Sequence, residues 1–427
     1  MSEHLKSKWP FYVGGVILFL IILFEAQGRG DFSIFLQASS GLWQKQNVYT
    51  TIYNEWYHYY YGVFFALILS PFTLLPLYVA KVIWLCINVF FVYRIWKILS
   101  SWLPLDKLSK ISKTIFVILS FVFISRFLRD NFHLSQVTIF ILYLTLEGLY
   151  LISKEKHLAG ALLIALGIDT KLLPIVIIPY LLYRGEWRAL LYVFLFIAVF
   201  LFMPSLFIGH DFNITLLQDR WLLLNPANQT HILDTSERSF HSLTTLLATL
   251  LVENSGDVYA LPIKRNIADI SIEKLNLVIN ACRVILVALT LYFLETMPFK
   301  KSKSQVHRLY EISYLCLIVP LIFPHQQHYA FFFIFPAITY LLYYTVYLYF
   351  NKETLVVSKN FKMKKMALVF ILFLIYFLTN GHLILGEFNR YYDHFKTLTY
   401  GALMVVVVLA ACRPKKLLLG TTELPSK

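Results

Sequence analysis

Asp31 stands directly behind the first apolar run and opens an amphipathic stretch from Phe32 to Gln46. The helix dipole favours an ionised carboxylate at a helix N-terminus, and such a group can take a proton from a hydroxyl. Its plainer alternative is a helix-capping aspartate. Farther along, Arg126, Arg129, Asp130, Asn131, His133 and Gln136 crowd one connection between two apolar runs. The planar guanidinium fork suits phosphate oxygens, although Arg129 and Asp130 could equally neutralise each other. Lys171 sits at the polar tip Asp169-Thr-Lys171, and Arg238 lies in Glu237-Arg-Ser-Phe-His241. Phe323-Pro-His325-Gln-Gln-His328 carries two histidines three residues apart. That spacing permits metal ligation on a helix, but no third ligand is near. Hydrogen bonding beside an anionic group is therefore the expected role, and no metal is expected.

Membrane elements must position these side chains. The chain has 427 residues, 58% hydrophobic and 15% charged, against about 25% charged in ordinary globular domains, which excludes a soluble protein. Apolar runs lie near 10–26, 77–98, 112–128, 135–153, 157–169, 172–184, 188–208, 275–295, 305–323, 328–350, 366–385 and 396–413. Many approach the roughly 20 residues that a helix needs to cross hydrocarbon. The expected fold class is all-α, a single polytopic transmembrane domain over 1–427 with about twelve transmembrane helices. The net charge of +14 does not call for nucleic acid, because the cations gather at the ends of the runs. Cys86, Cys282, Cys316 and Cys412 lie in or beside the runs without ligand spacing, so neither a disulfide framework nor a zinc site is expected. No phosphate-binding glycine loop, dinucleotide fingerprint, HExxH or GxSxG pattern occurs. Nucleotide chemistry is thus disfavoured and no cofactor is expected.

With the N-terminus inside, the connections holding Arg94 to Lys113, Lys154 and Lys156, Arg184 and Arg188, Lys300 to Lys303, Lys352 to Lys365 and Arg413 to Lys416 are cytoplasmic and all basic. The outer face then receives two long segments, 27–76 and 209–274, which are expected to cover the active site. Gly62 to Pro76 is short for a span and contains Pro71, so it reads as a re-entrant or interfacial arm. The short runs 157–169 and 172–184, interrupted by Pro174, would deliver Lys171 into a cavity near the outer leaflet. Discontinuous membrane helices of this kind often border a binding site. The first run, flanked by Lys6 and Lys8, lacks a small-residue cleavage site and reads as a retained span. Asn213-Ile-Thr215 and Asn228-Gln-Thr230 match the weak glycosylation acceptor pattern.

Several stretches follow one another over about three quarters of the chain: Asp31-Phe-Ser-Ile-Phe-Leu-Gln-Ala with Asn47-Val-Tyr49; Tyr60-Tyr-Gly-Val-Phe with Leu69-Ser-Pro71 and Leu75-Pro76; Asn131 with Ser135-Gln-Val; Leu158 to Gly167 with Lys171-Leu-Leu-Pro174; and Pro324-His-Gln-Gln-His328. In this order they resemble glycosyltransferase family 87, the polyprenyl-phosphate-mannose-dependent mannosyltransferases of the GT-C superfamily. The resemblance implies a GT-C-type fold with interfacial helices in the first outer loop. It implies inverting transfer of a sugar, with mannose as the family's donor sugar, from a polyprenyl-phosphate-linked donor to a hydroxyl of a lipid or glycan acceptor. The active site would lie on the periplasmic face of a bacterial plasma membrane, with membrane lipids as partners. Asp31 matches the family's central acidic position, and His328 or His325 is a rival or partner for the base role. Lys171, Arg129, Arg238 and Arg126 are the candidates for holding the donor phosphate, and Asn131, Gln136 and Tyr60 for touching substrate.

The chain departs from the family pattern in three places. It reads Tyr60-Tyr-Gly62 where relatives often show Tyr-Pro-Pro, Ser135-Gln136 for Gly-Gln, and Glu237-Arg-Ser239 for Asn-Gln-Ser. A lipid-linked glycan flippase or transporter would instead show charges in mid-membrane spans and polar openings on both faces. An O-antigen ligase or polymerase shares the lipid-phosphate donor and the large outer loop. The one-sided long loops and the acid behind the first run favour transfer.

Overall fold

The computed structural model describes residues 3–414 apart from Arg29, Trp56, Pro226, Ala227, Gln229, Thr230 and 351–358, and the side chains of 3–8, 10, 11 and 359–365 are also outside the description. Lys6, Lys8, the cluster from Lys352 to Lys365, Lys415, Lys416 and the end of Asn228-Gln-Thr230 lie outside the described residues or side chains. In chain order the helices are α1 (Glu3–Glu25), α2 (Phe32–Trp43), α3 (Val63–Ile68), α4 (Leu77–Ser101), α5 (Lys110–His133) and α6 (Thr138–Ser153). Then come α7 (His157–Thr170), α8 (Ile177–Tyr183), α9 (Trp187–Phe202), α10 (Ser205–Ile208), α11 (His210–Leu224) and α12 (Leu243–Leu251). The chain closes with α13 (Ile272–Leu294), α14 (Gln305–Ile322), α15 (Phe335–Phe350), α16 (Lys359–Asn380), α17 (Asn389–His394) and α18 (Thr397–Ala411). Two isolated antiparallel bridges, Tyr53 with Tyr57 and Phe240 with Gln327, are the extended pairings among the described residues.

The protein is all-helical and integral to a membrane. Among the described residues six helical segments are long and apolar enough to cross one: Leu77–Ser101, Lys110–His133, Trp187–Ile208, Ile272–Leu294, His328–Phe350 and Met366–Leu383. A seventh is formed if Gly386–His394 and Thr397–Ala411, bent by 69°, count as one. About twelve spans were expected, and the count among the described residues does not confirm that number. The runs at 135–153 and 157–169 become helices of 16 and 14 residues, and the run after Lys171 begins as a short 3₁₀ turn around Pro174 before α8. Apolar composition persists there, but helical length falls below the roughly 20 residues of a full crossing.

The chain divides into two compact units. One holds Met1–Ile95, Arg129–Leu172 and Leu191–Leu224. In it α2 is buried on most of its surface. Phe32 stacks on Trp84 at 5.2 Å, and Phe35 meets Tyr61 edge-on at 4.7 Å. The arm from Gly62 to Pro76 is no span: α3 has six residues and passes into a 3₁₀ turn with Pro71 in its first turn. The Trp43 indole donates to the Ser70 hydroxyl at 2.9 Å and ties this arm to α2. α6 and α7 form a close hairpin through facing glycines. A Cβ on Gly160 would lie 2.6 Å from the Gly148 carbonyl oxygen, so only a residue without one fits. Arg94 donates from Nε and Nη2 to the Glu147 carboxylate at 2.7–3.1 Å, which satisfies a carboxylate facing apolar helices.

The other unit holds Trp96–Leu128, Leu173–Leu190 and Asn225–Lys427. Serine side chains begin three of its helices. Ser242, Ser271 and Ser304 accept from the backbone N–H three residues on, at 3.1, 3.5 and 3.2 Å, and satisfy donors left open at a helix start. The core between α13, α14 and α15 is aromatic, with Phe293 stacked on Tyr314 at 3.9 Å and Tyr310 against Tyr340 at 5.2 Å. Glu311 is buried in α14 and held by Arg184 at 2.8 Å, Tyr180 at 3.0 Å and Ser302 at 2.7 Å. Removing Arg184 would leave the Glu311 charge unpaired away from water. Asn213 of the first glycosylation pattern, in the former unit, is fully buried and donates to the Leu201 carbonyl at 2.9 Å. Its side chain is thus enclosed by the fold and engaged in a hydrogen bond.

Candidate active site

In the first unit Asp31 sits at the start of α2 but does not cap it. Its backbone N–H donates to the Leu134 carbonyl at 2.9 Å, and its carboxylate accepts from the Gln136 side-chain amide at 2.5 Å. The capping alternative therefore gives way to a carboxylate turned toward the connection between α5 and α6. Gly30 makes the approach feasible, because a Cβ there would come within 2.7 Å of the Leu134 carbonyl oxygen. Burial raises the Asp31 pKa, while the Gln136 hydrogen bond and the charge of Lys171 pull in the opposite direction without cancelling it.

Lys171 follows α7 in extended conformation, φ −152° and ψ 135°, at the polar tip ahead of Pro174. Its ammonium lies 5.7 Å from the Tyr61 ring centroid, a cation–π distance. Among the described residues no side chain or carbonyl forms a hydrogen bond or ion pair with it. Burial lowers its pKa to about 8, against the opposing influence of Asp31. Beneath this tip Arg220 donates to the Asp169 carbonyl at 2.8 Å and faces its carboxylate at 3.5 Å. Gly62 donates its N–H to Thr170 at 3.2 Å, which proline cannot do, and a Cβ there would stand 2.3 Å from the Asp169 carbonyl oxygen. The departure from Tyr-Pro-Pro is thus structurally matched to Asp169. Tyr60, two residues before Gly62, is half-buried, Asn131 is buried with its carbonyl accepting from Gln136 N–H at 2.9 Å, and Arg129 is exposed at the end of α5. Arg129 makes no ion pair with Asp130 among the described residues.

The second unit gathers a different set. Segment 239–241 pairs antiparallel with 326–328: His241 N–H donates to Gln326 at 2.9 Å and His328 N–H to Ser239 at 3.1 Å. Around them Asp393 accepts from Arg238 Nε at 2.7 Å and lies 3.6 Å from His241 Nε2 and 4.0 Å from His382 Nε2. His328 has Arg126, His241, His382 and Asp393 as its ionisable neighbours. Burial holds the His241 pKa down at about 4, against the pull of Asp393. Arg126 is 1% exposed and donates to the Tyr392 hydroxyl at 2.8 Å and the Thr379 carbonyl at 3.0 Å. His325 stands in a separate chain in which its Nδ1 is 2.6 Å from Asp234 Oδ1 and its Nε2 2.5 Å from His231 Nδ1. The groups run in series and do not converge on a point, as ligands of one metal would. Among the described residues no three His, Cys, Asp or Glu are arranged to hold a metal ion.

Asp31, Gln136 and Lys171 therefore meet in one unit, and Arg126, Arg238 and His328 in the other. Sequence reasoning passed over Asp169 with Arg220, and Asp393 with His241 and His382. The available signal was the concentration of ionisable residues in connections between apolar runs, since such residues are costly beside lipid.

Apolar helices enclosing buried acid–cation centres define a membrane protein whose candidate site groups lie in and around the connections between helices. The sequence model of glycosyltransferase family 87 matches residues 59–298, and the chain belongs to that family. It is a membrane glycosyltransferase. The matched region includes Tyr60, Arg126, Arg129, Asn131, Gln136, Lys171 and Arg238, while Asp31, His325 and His328 lie beyond its ends. No curated protein sequence matches the chain.

Proposed function

We propose that the protein transfers a sugar, with mannose the first to be tried, from a polyprenyl-phosphate donor to a hydroxyl of a lipid or glycan acceptor, with inversion. The reading rests on one observation: Lys171, an ammonium with no hydrogen-bonding partner among the described residues, lies within electrostatic reach of the buried carboxylate of Asp31. A phosphate supplies the missing partner of such a cation. In the proposed reaction the acceptor oxygen bonds to the anomeric carbon as the bond from that carbon to phosphate breaks. The hydroxyl proton goes to Asp31, and polyprenyl phosphate leaves with its negative charge screened by Lys171, aided by Arg129. Gln136 holds the carboxylate in place, and Asn131 and Tyr60 border the same connections. Attack from the side opposite the phosphate gives inversion.

A membrane-embedded, lipid-linked donor agrees with a chain whose polar groups sit between apolar helices. We place the reaction on the outer face of a bacterial plasma membrane, because the cationic connections count as cytoplasmic. A second reading gives the base role to His328, favoured by the carboxylate and imidazoles of Asp393, His241 and His382 around it. His325 is the weaker candidate, since both of its ring nitrogens already face Asp234 and His231.

The test is transfer of radiolabelled mannose from polyprenyl-phosphate-mannose in proteoliposomes, comparing wild type with Asp31→Asn and His328→Gln. Loss confined to Asp31→Asn supports the first reading. Loss confined to His328→Gln moves the base to the second unit. Full transfer by both variants removes both assignments.

A further inference from the structure

Lys81 has no role in the reaction as written, yet it is among the most deeply buried cations of the molecule. It lies in α4, a helix long and apolar enough to span a membrane, and is 2% exposed. Among the described residues no carboxylate pairs with it. Its ammonium donates to the carbonyl oxygen of Gly28, three residues before Asp31. An ammonium buried among apolar helices carries a heavy desolvation cost, and a single carbonyl does not neutralise it. A methionine would fill the same volume without that cost. The lysine therefore calls for a reason other than packing.

The neighbouring positions of α4 supply one. Trp84, one helical turn farther on and so on the same face, donates its indole N–H to the carbonyl of Ser135 at 3.2 Å and stacks on Phe32 at 5.2 Å. Asn88, one turn beyond, donates to the Trp84 carbonyl at 2.8 Å. One face of α4 thus grips two connections, through Gly28 on one side and Ser135 on the other. These are the connections that carry Asp31 and Gln136, and they are joined to each other by Asp31 N–H to Leu134 at 2.9 Å and by the Gln136 amide to the Asp31 carboxylate at 2.5 Å. The Asp31 carboxylate is then fixed from three directions, by Lys81 through the backbone before it, by Gln136 directly, and by Trp84 through the backbone preceding Gln136.

We propose that Lys81 is a positioning residue for glycosyl transfer: it anchors the chain at Gly28 and so aims Asp31 at the acceptor hydroxyl. The proposal rests on Asp31 being the base. Because Lys81 acts through the backbone and touches no substrate, its removal lowers kcat and leaves donor KM nearly unchanged. A small misplacement of a catalytic group can cost on the order of a hundredfold.

The test uses the full-length protein in proteoliposomes with polyprenyl-phosphate-mannose as donor. Lys81→Met, Asp31→Asn and the double variant are compared for kcat, donor KM and thermal unfolding midpoint. The expected result is a 10- to 100-fold lower kcat for Lys81→Met, with donor KM within about twofold of wild type and an unfolding midpoint equal to or above it. The residual rate of Asp31→Asn should not fall further when Lys81→Met is added. A lowered midpoint with unchanged kcat would overturn the proposal and make Lys81 a structural residue. A multiplicative loss in the double variant would overturn it too, since Lys81 would then act independently of Asp31. Wild-type turnover by Asp31→Asn alone would sink the base assignment itself, an outcome read separately from the effect of Lys81→Met.

Discussion

The two polar centres use the same residue types and treat charge in opposite ways. In the second unit Asp393 is taken up by Arg238 at 2.7 Å, and His241 and His382 stand within 4.0 Å of it. Arg126 is occupied by Tyr392 and a carbonyl. In the first unit Arg220 serves Asp169, but among the described residues Lys171 holds only an aromatic face and the Asp31 carboxylate only an amide. A centre whose charges satisfy one another fastens loops together. A centre that leaves a cation and a carboxylate partly unanswered is organised for something that arrives. The pH behaviour separates them further: His241, with its pKa near 4, is neutral through the ordinary range, whereas Lys171 loses its charge as pH rises through about 8.

The sharpest way to break this contrast is substitution of the rival bases. Asp31→Asn is predicted to lower kcat about 10³-fold, within the range for loss of a general base, and His328→Gln no more than about tenfold. Radiolabel transfer giving the reverse order would make the second unit the reaction centre. The next largest effect falls on the ground beneath Lys171. Gly62→Ala would drive a methyl to within 2.3 Å of the Asp169 carbonyl and cost about 2–3 kcal/mol of stability, read as a lower unfolding midpoint in detergent. An unaltered midpoint would mean that the Tyr60-Tyr-Gly62 segment shifts freely.

Lys171→Ala is predicted to weaken donor binding about 10- to 30-fold, the loss of one charge-assisted contact. The sign of the pH effect follows from the lowered pKa. Wild-type donor affinity should hold below about 8 and decline above it as the ammonium deprotonates, while Lys171→Arg, charged throughout, should bind evenly across that boundary. A donor titration at pH 7 and pH 9.5 decides this, and an identical decline in the arginine variant would assign the transition to another group. Smallest of all, Asp393→Asn removes a pair whose arginine is largely exposed, so a change of about 0.5 kcal/mol is expected. A loss of several kcal/mol, or of transfer activity, would show that the second centre does more than hold loops.

Much of this arrangement was legible in the sequence for definable reasons. Apolar runs announce helices, and Pro71 and Pro174 announce breaks, because a proline cannot continue the backbone ladder. Asp31, Gln136 and Lys171 were conspicuous as polar residues at the ends of such runs. What stayed hidden depends on contacts between distant segments. Arg220 reaches Asp169 across 51 positions of chain, and Arg238 reaches Asp393 across 155, and no local spacing encodes either pairing. Pro174 signalled the interruption after Lys171, but the 3₁₀ form of that turn rests on backbone geometry that composition does not specify. The capping alternative for Asp31 could be judged only from where its carboxylate points, which residue type does not specify.

The glycine contact between α6 and α7 has a consequence for how this protein can change. Gly148 and Gly160 lock the two helices in axial phase, and Lys171 lies on the continuation of α7 beyond that lock. Each added or deleted residue between Gly160 and Asp169 would rotate everything downstream by about 100° and shift it by about 1.5 Å. Substitutions along this stretch are therefore an open route of variation, whereas changes of length are closed. The glycines act as a reference mark from which the position of the lysine is counted.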